Sequence, residues 1–244
     1  MKKSGHTVLI TGVASGIGLA LAEQFVRSRS KVVIVGRDTE KLERAKLKLP
    51  ELHAIACDLG REEELERLIG LIGEKFAEVS VLINNAGIQH NGRLLDDPAD
   101  GDRIAEETRV NLLAPMTLCA RLLPLLAKRP EAAVVNVTSA LGLVPKPSAP
   151  VYCATKAGLR LFTKALRAQL AGTPIRVFEL MPPLVDTAMT AGRGSGKMPP
   201  SELAAAFMRS FERDRLEAAI GKARLLRTLS RLLPGMAERL MRRG

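Results

Sequence analysis

Apolar residues fall along this chain in two alternating rhythms. Short runs that are apolar at nearly every position, rich in Val and Ile, occur at His6–Thr11, Lys31–Val35, Leu52–Cys57, Val79–Asn84, Ala132–Thr138 and Ile175–Leu180. Runs with no polar face predict strands of a parallel sheet covered by helices on both sides. Between them the apolar positions recur every three or four residues, which predicts helices over Gly16–Ser28, Thr39–Leu47, Glu62–Phe76, Arg103–Lys128 and Val151–Ala171. Strand–helix alternation at this spacing implies right-handed crossovers. The fold class is therefore α/β, a Rossmann-type doubly wound parallel sheet with three α/β/α layers. No linker, repeat or low-complexity tract divides residues 1–244, which read as a single domain.

The rhythm fails over Met181–Pro200, where four prolines and three glycines predict a long loop. Residues 182–200 are expected to form a substrate loop, because long loops in compact domains are often functional. Residues 201–244 read as a basic helical extension packed on the domain, with a short strand near Glu217–Ile220 and a last helix over Met236–Arg243 after Pro234-Gly235.

Composition narrows the picture. The chain is 46% hydrophobic but only 3% aromatic, so the core must be built from aliphatic side chains. Apolar stretches are too short or too charged to predict a membrane span, and the opening MKKSGHTVLITG is too broken for a signal sequence, so a cytoplasmic protein is expected. Cys57, Cys119 and Cys153 match no zinc or disulfide framework, and His6, His53 and His90 form no ligand pair, so no metal site is expected. Net charge is +11, and residues 201 onward hold ten Lys and Arg against five Asp and Glu. A helix over Leu216–Leu233, with Arg and Leu interleaved, leaves contact with a membrane surface open. A solvated helix face explains the same pattern, and nucleic acid is not expected as a partner.

The first strand runs into Thr11-Gly12-Val13-Ala14-Ser15-Gly16-Ile17-Gly18 and then a helix. Gly12 permits the tight turn, Gly16 lets backbone approach a diphosphate, and Gly18 allows close packing of helix on strand. The helix N-terminus offers unpaired N–H groups to phosphate. At the end of the second strand the chain reads Val35-Gly36-Arg37-Asp38. An acidic residue there would bind a ribose 2′-OH; Arg37 instead suits a 2′-phosphate. NADP(H) is expected in preference to NAD(H), with Asp38 capping the next helix.

Tyr152 and Lys156 stand one turn apart on one face of a predicted helix. An ammonium beside a phenol lowers its pKa toward the range useful for acid–base catalysis. Ser139, at the end of the preceding strand, is positioned to hydrogen-bond the reacting oxygen.

With TGVASGIG, Asp58-Leu59, Asn84-Asn85-Ala86-Gly87, Asn111, Ser139 and Tyr152-x-x-x-Lys156, the chain resembles the short-chain dehydrogenase/reductase (SDR) family up to about Thr187. The glycine spacing is similar to its compact branch, and PPLVDT with the ending LLPGMAERLMRRG looks like its DltE-type subgroup. The resemblance implies an NADP(H)-dependent oxidoreductase acting on a carbonyl or alcohol. It makes Tyr152 the proton donor or acceptor, with Lys156 lowering its pKa and binding the nicotinamide ribose. It also implies that Ser139 orients the carbonyl and that Asn111 holds a water in a relay to Lys156. Cofactor contacts are implied for Gly12, Ser15, Gly16, Ile17, Gly18, Arg37, Asp58, Leu59, Asn85, Ala86, Gly87, Tyr152, Lys156, Pro182, Val185 and Thr187. The family usually has Pro-Gly where this chain has Pro182-Pro183, which stiffens the loop.

Ala140–Pro145, Ile88, Met189 and Met198 suggest an apolar substrate wall, although they would serve equally as core. The helices Arg103–Lys128 and Val151–Ala171 resemble those that pair in family dimers, so a homodimer is expected. A protein of the same fold that senses NADP(H) with little turnover, or sits on a membrane surface, is the alternative.

Overall fold

The computed structural model describes residues 1–2, 4–13, 16–96 and 101–242. Seven parallel strands form one sheet: β1 (Thr7–Thr11), β2 (Lys31–Gly36), β3 (His53–Ala56), β4 (Val81–Asn84), β5 (Ala132–Val137), β6 (Ile175–Met181) and β7 (Glu217–Ala219). Their order is β3-β2-β1-β4-β5-β6-β7. The strand order reverses between β1 and β4, where open α/β sheets leave a crevice at the carboxyl ends of the strands. β1, β4 and β5 are buried at every position, as their unbroken apolar runs require.

Helices α1 (Gly16–Arg27), α2 (Thr39–Lys48), α3 (Glu62–Lys75), α4 (Gly101–Thr108), α5 (Ala114–Leu126), α6 (Pro150–Gln169) and α7 (Pro200–Glu212) cover the two faces. Asp38 caps α2 as expected, its carboxylate accepting from Lys41 N–H at 3.0 Å. The aliphatic core carries one aromatic cluster, with Phe25 of α1, Phe178 of β6 and Phe207 and Phe211 of α7 fully buried. Burying each such ring is worth about 1.5–3 kcal/mol.

Three expectations change. The helix expected over Arg103–Lys128 runs Gly101–Leu126 and is interrupted by a π turn at Arg109–Leu113. That helix is long and apolar enough by composition to cross a membrane; here Leu118, Leu122 and Leu126 pack into the core beside β4 and β5. The residues after 200 begin inside the domain rather than as an extension, since α7 packs on α1 and β7 is the seventh strand. Consequently no helix spans Leu216–Leu233: a strand and a turn precede α8 (Lys222–Leu232), and α9 (Pro234–Arg242) follows. Arg243 lies outside the described residues.

Residues 182–200 are more ordered in outline than a bare loop. Val185 bridges Met198 in parallel, and Asp186 N–H and Met198 N–H bond to Met198 and Leu184 carbonyls at 2.9 Å. A short 3₁₀ turn, Ala188–Thr190, is capped reciprocally by Thr187 and Thr190.

Candidate active site

A cleft of about 290 Å³ opens at the carboxyl ends of β1, β2 and β4. Its floor is a turn in which Gly12 has φ +73°, a conformation that side-chain-bearing residues rarely adopt. Space dictates glycine there as well. A Cβ on Gly12 would lie 2.6 Å from Ala86 Cα, and one on Gly18 would lie 2.6 Å from the Gly12 carbonyl oxygen. A Cβ on Gly16 would meet the Thr187 methyl at 2.7 Å, so the first helix and the segment after β6 close on each other across the cleft.

Asn85 ties the β4 exit to this turn. Its side-chain N–H groups donate to the Thr11 and Gly12 carbonyls, both at 3.0 Å. Thr11 Oγ1 accepts from the backbone N–H of Asn85 and of Ala86, both at 3.1 Å. The Asn85 amide therefore serves the backbone, while Ala86 and Gly87 line the cleft.

Ile17, Arg37, Asp58, Leu59, Tyr152, Lys156, Pro182 and Thr187 also line it. Arg37 is exposed at the rim, with Nη1 3.2 Å from Glu106 Oε1, and the other Glu106 oxygen meets the His90 ring at 3.1 Å. Asp58 accepts from Gly60 N–H at 2.9 Å. Val185 does not line the cleft. It is buried in the core under the bridge to Met198. Gly16 and Gly18 shape the cleft without lining it, and Ser15 lies outside the described residues. The residue types at Cys57, Val110, Thr138 and Ala188, which also line the cleft, carry no motif that sequence reasoning could have used.

The expected apolar wall splits in two. Ile88 and Met189 face the cleft. Leu141, Leu143 and Pro145 line a separate groove beside Cys153 and Glu238, Val144 is buried, and Met198 packs against the core.

A buried polar chain sets the register of α6. Asn84 donates to Asn136 at 2.8 Å, and Asn136 donates to Thr163 at 2.9 Å. One face of α6 then presents Tyr152 and Lys156 to the cleft. The Lys156 ammonium donates to the Val137 carbonyl at 2.9 Å and lies 5.8 Å from the centre of the Tyr152 ring. Ser139 Oγ accepts from Leu141 N–H at 3.1 Å, which leaves its proton free to meet the Tyr152 oxygen. That contact draws the phenol down, but burial outweighs it and pushes Tyr152 up to about 12. The expected lowering by Lys156 is not what governs the phenol here; burial likewise brings Lys156 down to about 8, weakening the cation itself.

Asn111 sits in the π turn. Its oxygen accepts from Ile88 N–H and its amide donates to the Ile88 carbonyl, both at 2.8 Å. The extra residue in that turn, a device frequent at functional sites, aims Asn111 at the β4 exit. Asn111 and Lys156 flank Gly87: a Cβ there would lie 3.3 Å from Asn111 Oδ1 and 3.5 Å from Lys156 Nζ.

A doubly wound sheet with a glycine-floored cleft, a tyrosine and a lysine on its wall and a serine beside the tyrosine defines a nucleotide-binding oxidoreductase fold. The family model for short chain dehydrogenases matches residues 6–197, and the chain belongs to that family. It is 41% identical over 189 residues to the uncharacterized oxidoreductase DltE of Bacillus subtilis, covering 78% of this chain and 75% of that one. A short-chain dehydrogenase from Sphingobium yanoikuyae, solved with NADPH, superposes with a TM-score of 0.82 at 29% identity, covering 97% of this chain and 95% of that one. A Burkholderia cenocepacia short chain dehydrogenase solved with NADP shares the fold, with a TM-score of 0.86 at 24% identity over 99% of both chains.

Proposed function

We propose that this protein is an NADP(H)-dependent reductase of a small carbonyl compound, with Tyr152 as the general acid. The observation that carries this reading is the pair Tyr152 and Lys156 on the wall of the glycine-floored cleft, with Ser139 beside the phenol. NADP(H) fits the residues present. The left-handed Gly12 turn leaves no side chain in the way of a diphosphate, and Arg37 offers a fixed cation at the end of β2 for a 2′-phosphate. A structural relative 29% identical to this chain was solved with NADPH, which supports the choice. When bound, the dinucleotide supplies the hydride.

The chain's own residues do the rest. Ser139 Oγ, its lone pair engaged by Leu141 N–H, donates to the substrate oxygen and orients it. Burial keeps the phenol of Tyr152 protonated at neutral pH. That is the form which donates to an oxygen gaining negative charge, as carbonyl reduction requires. Lys156 keeps a cation behind the phenol and stabilises tyrosinate once the proton has left. Ile88, Val110 and Met189 give the cleft an apolar lining that suits an apolar carbonyl substrate. Leu113 and Leu161 stay exposed on the π turn and α6, which supports pairing of two copies through these helices.

Tyr152→Phe tests the reading. It should bind NADPH as the wild type does and lose at least about a hundredfold in kcat, the usual worth of a positioned acid. The check is NADPH oxidation over a panel of aldehydes and ketones, and wild-type turnover by the variant would remove Tyr152 from the chemistry.

A further inference from the structure

Helices α8 and α9 turn small side chains toward the domain and large apolar ones away from it. Ala223 and Ala237 are buried, and Arg227 Nη1 meets Glu217 Oε2 at 2.9 Å, which ties α8 to β7. α8 also packs on α9 and on the 3₁₀ turn Ala140–Gly142. Leu225, Leu232, Leu233, Met236 and Leu240, by contrast, are between 50% and 72% exposed. Twelve large apolar side chains are exposed among the described residues, and these five fall on two touching helices and the joint between them. Single exposed leucines are ordinary on a protein surface, whereas a cluster marks a contact site.

The spacing makes the cluster continuous and gives it a charged border. Leu225 and Leu232 stand two turns apart on one side of α8, and Met236 and Leu240 stand one turn apart on α9. Arg224 and Arg231 repeat the α8 spacing one residue earlier, so a basic edge runs beside the leucines. Arg239 adjoins Leu240 on α9. All three arginines are exposed, and none pairs with a carboxylate among the described residues. Glu238, the acid of α9, lines the groove against Leu141 and Pro145, and α8 has no acid at all.

We propose that α8 and α9 seat this protein on an anionic phospholipid surface. The two helices lie along the plane of the bilayer, with the leucines and Met236 in the headgroup boundary and the three guanidinium groups against lipid phosphate. Charge selects this occupant. A second copy docked face to face would set Arg224, Arg231 and Arg239 against their own counterparts with no acid to separate them. A nucleic acid would satisfy the arginines and leave the leucines in water. A phosphate-bearing bilayer takes both at once, and a net charge of +11 draws the chain toward it. The inference stands apart from the reductase reading, since none of these residues lines the cleft.

Co-sedimentation of the full chain with vesicles tests it. The wild type should travel with vesicles of phosphatidylcholine containing about one third phosphatidylglycerol, and stay in solution with phosphatidylcholine alone. Added salt should weaken the binding. The triple variant R224Q/R231Q/R239Q should bind about a hundredfold more weakly, at roughly fivefold per cation. L225Q/L232Q/L240Q should lose at least about tenfold. NADPH titration should give the wild-type affinity in both variants, which separates lost docking from lost folding. A wild type that ignores anionic vesicles, or binds neutral ones equally well, overturns the proposal. Undiminished vesicle binding by the leucine variant also overturns it and makes the face a site for a soluble polyanion. A leucine variant of smaller sedimenting mass, with vesicles ignored by the wild type, overturns it in favour of a second copy.

Discussion

Gly12 and Gly5 both have positive φ, +73° and +79°, yet their surroundings differ. A Cβ on Gly5 meets nothing within 4 Å, whereas one on Gly12 would lie 2.6 Å from Ala86 Cα and 2.9 Å from Ala86 N. Replacing either with Ala costs about 1–2 kcal/mol for the left-handed backbone. Gly12→Ala must also push the β4 exit away, which adds roughly 1–3 kcal/mol of overpacking. It weakens the Ala86 N–H bond to Thr11 as well, worth about 1 kcal/mol. The expected losses are about 1–2 kcal/mol for Gly5→Ala and about 3–6 kcal/mol for Gly12→Ala. Urea unfolding followed by far-ultraviolet circular dichroism measures both. NADPH titration by its own fluorescence should show normal affinity in Gly5→Ala and a large loss in Gly12→Ala. Equal destabilisation of the two variants would refute the claim that contact with Ala86, rather than backbone conformation alone, demands glycine at position 12.

Two other expectations are open to measurement. Arg37→Ala should weaken NADPH by roughly 10- to 150-fold, the worth of about 1.5–3 kcal/mol of charged hydrogen bonding. NADH should change far less; parallel losses would reject a 2′-phosphate at Arg37. Lys156 is depressed to about 8 from an ordinary 10.5. Between those values the unfolded chain binds more protons, so this residue makes stability rise with pH across that window. Lys156→Met should flatten the rise in thermal unfolding profiles, and an unchanged slope would contradict the burial of the charge.

Much of the architecture was legible because each strand is apolar on both faces and each helix on one. Strand ends moved by no more than two residues, as at Val81 for an expected Val79. The π turn was not legible, because Arg109–Leu113 has no composition of its own; only the pull of Asn111 toward Ile88 reveals it. The stretch 182–200 looked shapeless since its order comes from backbone bonds such as Met198 to Leu184, which leave no side-chain pattern. Arg37, Tyr152 and Lys156 could be placed at the cleft from strand ends and helical spacing. Val185 could not, because the bridge to Met198 turns it inward. The phenol's ionisation was misjudged for a similar reason: two residues one turn apart announce proximity, but not how much protein closes over them.

The tie between Asn85 and the glycine turn has a further consequence. It joins parts of the chain more than seventy residues apart, across the central strand pair. Neither half of the nucleotide grip exists in a nascent polypeptide that stops short of β4. Ligand capture thus has to wait for β4 to join β1, and a dinucleotide would reward only molecules whose sheet has already zipped at its middle.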